Sequence, residues 1–218
     1  MEIKVIKHLL DETAKKAEEI RILLGEKKVL MVNLIGSPGS GKTSLLEKTL
    51  AEFKGKLNCA IIEGDVATDR DAVRLQKYEI PICLINTEGA CHLEPMSIRK
   101  ALEEFDLDAL DIIFVENVGN LVCPAEFDIG EHAKLAIASV TEGHDKPEKY
   151  PLLFNECKAV VLNKMDLAQF TDFDKNVFDE SVEKLNGKVP TFETSCRAEE
   201  GLEAWYGWLR SMIESIRN

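Results

Sequence analysis

No stretch of this chain approaches the ~18 uninterrupted apolar residues that a membrane-spanning helix needs. The N-terminus also lacks the basic segment, apolar core and small-residue cleavage site of a secretory leader. Positive charge is scarce: 27 Lys+Arg against 39 Asp+Glu leave a net charge of −12, with no Lys/Arg run. That balance argues against a nucleic-acid partner and against attraction to anionic membranes. Cysteine is scattered, at Cys59, Cys83, Cys91, Cys123, Cys157 and Cys196, without the dense spacing of a secreted disulfide framework. The chain therefore reads as cytoplasmic. It has no internal repeat, low-complexity tract or evident linker, and 218 residues suffice for one substantial core. We expect one domain over 1–218, with an N-terminal helix over 1–25 and a core over 29–218.

What is present begins with Gly36-Ser37-Pro38-Gly39-Ser40-Gly41-Lys42-Thr43, between the apolar run Val29 to Ile35 and the helix-like segment opening at Ser44. It fits G-x-x-x-x-G-K-[ST], the phosphate-binding P-loop. Glycines let successive backbone N–H groups turn inward around a polyphosphate, and the following helix N-terminus favours negative charge. Lys42 is expected to reach the β- and γ-phosphates, and Thr43 to offer its hydroxyl to Mg²⁺.

The rest of the chain alternates helix and strand patterns. Apolar residues at helical spacing run from Glu2 to Leu24, with Gly25 as the expected stop. Strands are predicted over Asn58 to Glu63, Pro81 to Asn86, Asp111 to Val115, Leu135 to Val140, Ala159 to Leu162 and Val189 to Thr194. Helices are predicted over Asp69 to Tyr78, Leu93 to Glu104, Tyr150 to Cys157, Asp174 to Leu185 and Gly201 to Ile216. This alternation predicts an α/β P-loop NTPase fold, a mainly parallel sheet with helices on both faces, preceded by an amphipathic helix. Ligands in such sheets bind at the carboxyl ends of the strands, where every motif below falls.

Asn163-Lys164-Met165-Asp166 follows a predicted strand and matches the N-K-x-D motif of GTP-binding proteins. The Asp166 carboxylate can accept from guanine N1–H and its exocyclic amine, a donor pair that adenine does not present. Ser195-Cys196-Arg197 resembles the short loop that closes guanine pockets. Glu116-Asn117-Val118-Gly119 stands at a strand end where ordinary GTPases carry D-x-x-G. Glu116 could act on Mg²⁺ or orient the attacking water, and Gly119 could let the backbone approach a γ-phosphate. Asp65, at another strand end, is a second candidate for the metal shell or the water; a solvated loop carboxylate is the alternative for both. Lys42, Asp65 and Glu116 are the candidate catalytic residues.

Cys91-His92 and Cys123-Pro124 each follow a predicted strand, and thiolate and imidazole suit Ni²⁺ or Zn²⁺ rather than Mg²⁺. On spacing alone, ordinary thiols and a solvated imidazole account for these residues at least as well. Three donors leave a tetrahedral site incomplete. Water, another residue or a second subunit could complete it.

Taken together, Gly36 to Thr43, Glu63-Gly64-Asp65-Val66, Cys91-His92-Leu93, the string from Glu116 to Pro124, Thr141-Glu142-Gly143 and Asn163 to Asp166 resemble the HypB family of hydrogenase-maturation GTPases. The E-N-V-G-N-L-x-C-P string is the specific part. The resemblance implies a GTP-dependent homodimer that helps deliver nickel to [NiFe]-hydrogenase precursors alongside accessory maturation proteins, with Cys91, His92 and Cys123 holding Ni²⁺ or Zn²⁺. Two features depart from it. The first cysteine is Cys59 and no histidine cluster exists, so the N-terminal nickel-capturing motifs of some members are missing; and Met96 stands where some relatives carry a second histidine. A GTP-regulated assembly factor with a structural zinc, or a small-molecule kinase, are the competing readings.

Overall fold

The computed structural model describes residues 8–65 and 74–218, with side chains over 12–64 and 74–218. Helix α1 (His8–Lys27) leads into strand β1 (Leu30–Gly36) and helix α2 (Lys42–Phe53), then β2 (Cys59–Asp65) and β3 (Ile82–Asn86). Helix α3 (Pro95–Leu102), strand β4 (Ile112–Glu116), the short helix α4 (Cys123–Glu126) and β5 (Ala133–Ser139) follow. The chain closes with α5 (Lys146–Lys149), α6 (Pro151–Glu156), β6 (Ala159–Asn163), α7 (Lys175–Asn186), β7 (Thr191–Glu193) and α8 (Leu202–Arg217).

Among the described residues the strands form one seven-stranded sheet, in the order β3-β2-β4-β1-β5-β6-β7, and every pairing is parallel. The predicted layer arrangement follows from burial on both faces of β1. Leu30, Val32 and Leu34 pack against Leu46 and Phe53 of α2 and Trp205 and Leu209 of α8. On the other face Met31 joins Ile20 and Leu24 of α1 and Ile98 of α3, whereas Ile35 joins Leu153 and Phe154 of α6 and Phe178 of α7. A strand covered on both faces reads as the continuous apolar run seen in the sequence. Strand order reverses at β1, which puts the P-loop at the topological switch point where such sheets open a crevice.

Two expectations are corrected, and two fall partly outside the described residues. Helix α1 does not stop at Gly25: it runs to Lys27, and the turn falls at Lys28, with φ 57°. There Lys28 N–H donates to the Gly25 carbonyl at 3.1 Å and Val29 N–H to Leu24 at 2.9 Å, so the left-handed residue that caps the helix is a lysine. Residues 2–7 of the expected helix lie outside the described residues, as do 69–73 of the helix expected over Asp69 to Tyr78, which ends in a tight turn at Gln76–Tyr78. The helix expected from Leu93 begins at Pro95, whose fixed φ and missing N–H suit a first helical position.

Candidate nucleotide and metal sites

The P-loop bends from β1 into α2 through Gly39 at φ 81° and Gly41 at φ 101°. Gly41 is required twice over. Its backbone is left-handed, and a Cβ there would lie 2.2 Å from Asn163 Nδ2. Lys42 folds back so that Nζ donates to the Gly36 carbonyl at 3.2 Å, and the Thr43 hydroxyl donates to Glu116 Oε1 at 2.8 Å. These groups open on a cavity of about 510 Å³, lined also by Pro38, Ser44, Glu63, Arg74 and Gly119. Gly119 lies hard against the loop, since a Cβ would sit 2.8 Å from Pro38 Cγ. The sequence-predicted phosphate residues and the Glu116 turn therefore meet on one cavity. The backbone of Asp65 ends β2 on the same sheet edge, and its side chain lies outside what is described.

A second cavity of about 380 Å³ shares Gly41, Ser44 and Lys164 with the first and is lined also by Lys48, Asn163, Asp166, Leu167, Cys196 and Arg197. Asn163 ties the two together: Nδ2 donates to the Ser40 carbonyl at 3.2 Å, and Oδ1 accepts from Cys196 N–H at 3.3 Å. Lys164 Nζ donates to the Gly39 carbonyl at 2.5 Å, and Ser195 Oγ donates to Asp166 Oδ1 at 2.6 Å. Thus Asn163 and Lys164 brace the P-loop, and Ser195 orients the Asp166 carboxylate.

Sequence reasoning assigned no role to Glu63, Arg74 or Asn117. Glu63 is buried and sits opposite Glu116 in the β2–β4 register. A carboxylate that ends the apolar run Ile61-Ile62 was the available signal. Two buried carboxylates and the Thr43 hydroxyl at one cavity are hard oxygen donors, the set that Mg²⁺ prefers. Arg74 NH2 lies 3.3 Å from Ser44 Oγ and 2.5 Å from Glu47 Oε2, following the segment outside the described residues.

The second cluster forms where the segments after β3 and β4 converge. Cys91 Sγ lies 2.9 Å from Cys123 Sγ and 3.7 Å from His92 Nδ1, and donor atoms of Cys91, His92 and Cys123 all lie within 4.8 Å of one another. Asn120 Nδ2 donates to the Cys91 carbonyl at 3.4 Å, joining the two segments. The imidazole stacks on Phe127 with centroids 3.9 Å apart, and its Nε2 is buried without a hydrogen-bond partner among the described residues. Soft donors at this separation suit Ni²⁺ or Zn²⁺. The remaining buried cysteines differ: burial pushes Cys59 and Cys157 up to about 12 and Cys196 up to about 11, so they stay thiols and fill core space.

The hydrogen bond to the Cys123 thiol, with burial adding to it, raises Cys91 above the ordinary thiol range. A metal bound at this cluster would therefore have to displace a proton from Cys91, and protonation would compete with it as the pH falls. We expect metal affinity to rise between about pH 6 and pH 8, with proton release measurable by titration calorimetry in buffers of different ionisation enthalpy. Binding that is flat with pH would remove the thiols from the ligand set.

Comparison with known proteins now adds the family. Residues 30–193 match the CobW/HypB/UreG nucleotide-binding domain. Hydrogenase maturation factor HypB of Escherichia coli K12 is 42% identical over 203 residues, covering 93% of this chain and 70% of that protein. The chain belongs to the HypB family of hydrogenase maturation factors. The hydrogenase/urease maturation factor HypB of Helicobacter hepaticus is 40% identical over 219 residues, covering 99% of this chain and 88% of its own. A crystal structure of HypB from Helicobacter pylori in complex with nickel superposes with a TM-score of 0.88 at 35% identity, over 94% of this chain and 96% of that one. Membership of a family of hydrogenase maturation factors leaves the small-molecule kinase reading without support. No described helix is long and apolar enough to cross a membrane.

Proposed function

We propose that this chain is a GTP-hydrolysing nickel metallochaperone that assists nickel insertion into [NiFe]-hydrogenase, acting as a homodimer when GTP is bound. Residues 29–218 form its GTPase core in this reading. The observation that carries it is the continuity of one short segment: Glu116 faces the phosphate cavity beside Thr43, and seven residues later Cys123 stands 2.9 Å from Cys91. Asn163, Lys164, Asp166, Ser195, Cys196 and Arg197 hold the guanine end, and Gly36 to Ser44 hold the phosphates. Lys42 spreads the charge developing on the transferred phosphoryl group, and Glu116 or Asp65 orients water for in-line attack. Mg²⁺, held by Thr43, Glu116 and Asp65 directly or through water, would neutralise phosphate charge. The polypeptide supplies the positioning, with Gly119 letting the turn close onto the polyphosphate.

Nickel is the cargo of this reading. Cys91, His92 and Cys123 take Ni²⁺ or Zn²⁺ alike on donor chemistry. Cys91, exposed, leaves room for donors from a second copy of the chain, and the apolar side chains of Met96, four residues after His92, and Val122, next before Cys123, are 53% and 48% exposed and suit a self-complementary contact. The hydrogenase precursor and accessory maturation proteins are the receiving partners.

Nucleotide state and metal affinity are then coupled through Glu116 to Cys123, reciprocally. The Ni²⁺ affinity of the GDP-bound protein should differ from that of the protein bound to a non-hydrolysable GTP analogue by about tenfold or more, within the usual range of allosteric coupling. Identical affinities in the two states would overturn the switch. Transfer of labelled nickel to a hydrogenase precursor, lost on Cys123→Ala, tests delivery itself.

A further inference from the structure

Glu131 is a carboxylic acid that neither site touches, yet it lies in the interior, 6% exposed. Its Oε1 accepts from Asn33 Nδ2 at 3.2 Å and its Oε2 from the Ile129 backbone N–H at 2.8 Å. Asn33 Oδ1 accepts from Asn117 Nδ2 at 3.1 Å, and Asn117 Oδ1 accepts from the Val118 N–H at 2.9 Å. An unbroken line of buried hydrogen bonds thus runs from residue 131, across the central strand, to the turn directly after Glu116. Asn33 stands between Met31 and Ile35, where an apolar side chain would pack with either neighbouring cluster. A polar group buried there without partners would cost on the order of 1–3 kcal/mol.

The other end of the line rests on α1. Arg21 NH2 donates to both Asp128 carboxylate oxygens at 2.7 Å, and Arg21 Nε reaches the Glu131 carbonyl at 3.5 Å. Gly130, at φ 87°, is seated flush on the helix, since a Cβ there would lie 2.6 Å from Ile20. Burial pushes the Glu131 carboxyl up. Burial also opposes ionisation of Asp128, but the Gly130 amide and the Arg21 guanidinium outweigh it and hold that carboxyl low. Between Asp128 and Glu131, the charge that Arg21 pairs is therefore on Asp128, at the helix end of the line; Arg21 also pairs Glu18 within α1.

We infer that Asn33 and Glu131 are positioning residues that fasten the Asn117–Gly119 turn to helix α1, so that the seating of α1 governs the segment carrying Glu116 and Cys123. Helix α1 is then a control handle as well as a cover for the sheet. Its effect on metal binding rests on the function proposed above; the fastening itself does not.

Amide hydrogen exchange on the full-length chain tests the fastening. The Val118 amide is protected by a side chain that Asn33 holds in place, so Arg21→Ala and Glu131→Ala should each speed its exchange by about tenfold. Glu131→Gln keeps one oxygen for Asn33 but sets its NH2 against the Ile129 N–H, so it should speed exchange by less than Glu131→Ala does. Lys27→Ala removes a separate ion pair of α1, to Asp108 at 2.7 Å, and should leave Val118 unchanged. Unchanged exchange in Arg21→Ala overturns the inference, and so does equal acceleration in Lys27→Ala, which would make α1 a general stabiliser. Should Glu131→Ala fail to fold, the surface change Arg21→Ala decides. On the same proteins, the ratio of Ni²⁺ affinities with GDP and GTP analogue should shrink by about threefold in Arg21→Ala. A ratio unchanged from the parent overturns the link to the metal, whereas a parental ratio of one overturns the proposed function and leaves the exchange result standing.

Discussion

Cys91→Ala and Cys123→Ala should each weaken Ni²⁺ binding by at least about 100-fold, the upper end of what losing a group that only orients a ligand costs, while GDP affinity stays within about twofold. The size follows from the donor count. The described cluster offers three protein donors, and removing a thiolate leaves two, on a site where Cys91 is exposed to water. The specificity follows from placement. The cluster stands on the segments after β3 and β4, while the polyphosphate cavity is lined by the P-loop and Glu116, so no nucleotide-facing group is lost. Competition with a chromophoric chelator measures the metal, and a fluorescent GDP analogue measures the nucleotide. Parallel loss of both would mean that the substitutions damage the fold, and undiminished nickel affinity would move the site elsewhere.

Asp166→Ala should have the opposite signature. A carboxylate accepting two guanine N–H bonds is worth on the order of 3–6 kcal/mol, about 1.5–3 for each charge-assisted bond, so GTP affinity should fall by roughly 10²–10⁴-fold. ATP offers no such donor pair and should bind as weakly as before, collapsing discrimination between the two. Ser195 is the built-in control. Its hydroxyl donates to Asp166 at 2.6 Å and accepts from the Ala198 N–H at 3.0 Å, so Ser195→Ala loosens the carboxylate without removing it and should cause a smaller loss. Nucleotide competition with GTP, ATP and their diphosphates reads both variants. A GTP preference that survives Asp166→Ala would assign guanine selection to another group in the cavity.

The layer order and both nucleotide motifs were legible because they depend on local rules. A strand buried on both faces needs an unbroken apolar run, and the P-loop needs glycine wherever φ turns positive, as at Gly39 and Gly41. The convergence of Cys91 with Cys123 was not legible from spacing, since 32 residues and a strand separate them. It depends on which strands become neighbours, a property of the whole sheet. Glu63 escaped notice for a related reason: its importance comes from standing opposite Glu116 in the parallel register. Asn33 interrupts an apolar strand, and its partners at residues 117 and 131 account for it. The misplaced end of α1 has a simpler cause. Glycine is tolerated inside a helix at a cost of about 1 kcal/mol, and the chain turns instead at a left-handed lysine, a choice that residue type does not reveal.

The strand order has one more implication. β3 and β4 are not neighbours; β2 runs between them, which sets their axes about 9–10 Å apart. The thiols that follow these two strands nevertheless meet at 2.9 Å, so the cluster forms an arch over the carboxyl end of β2. One pier of that arch is wedged against the strand beneath it, because Leu93, next after His92, leaves no space for a Cβ at Gly64: the nearest of its atoms would be 2.9 Å away. In the proposed function a metal ion would be the keystone of this arch. The width it would span is gauged by β2, the strand whose last residue is Asp65, so the fit of an ion would report on how that strand end is placed.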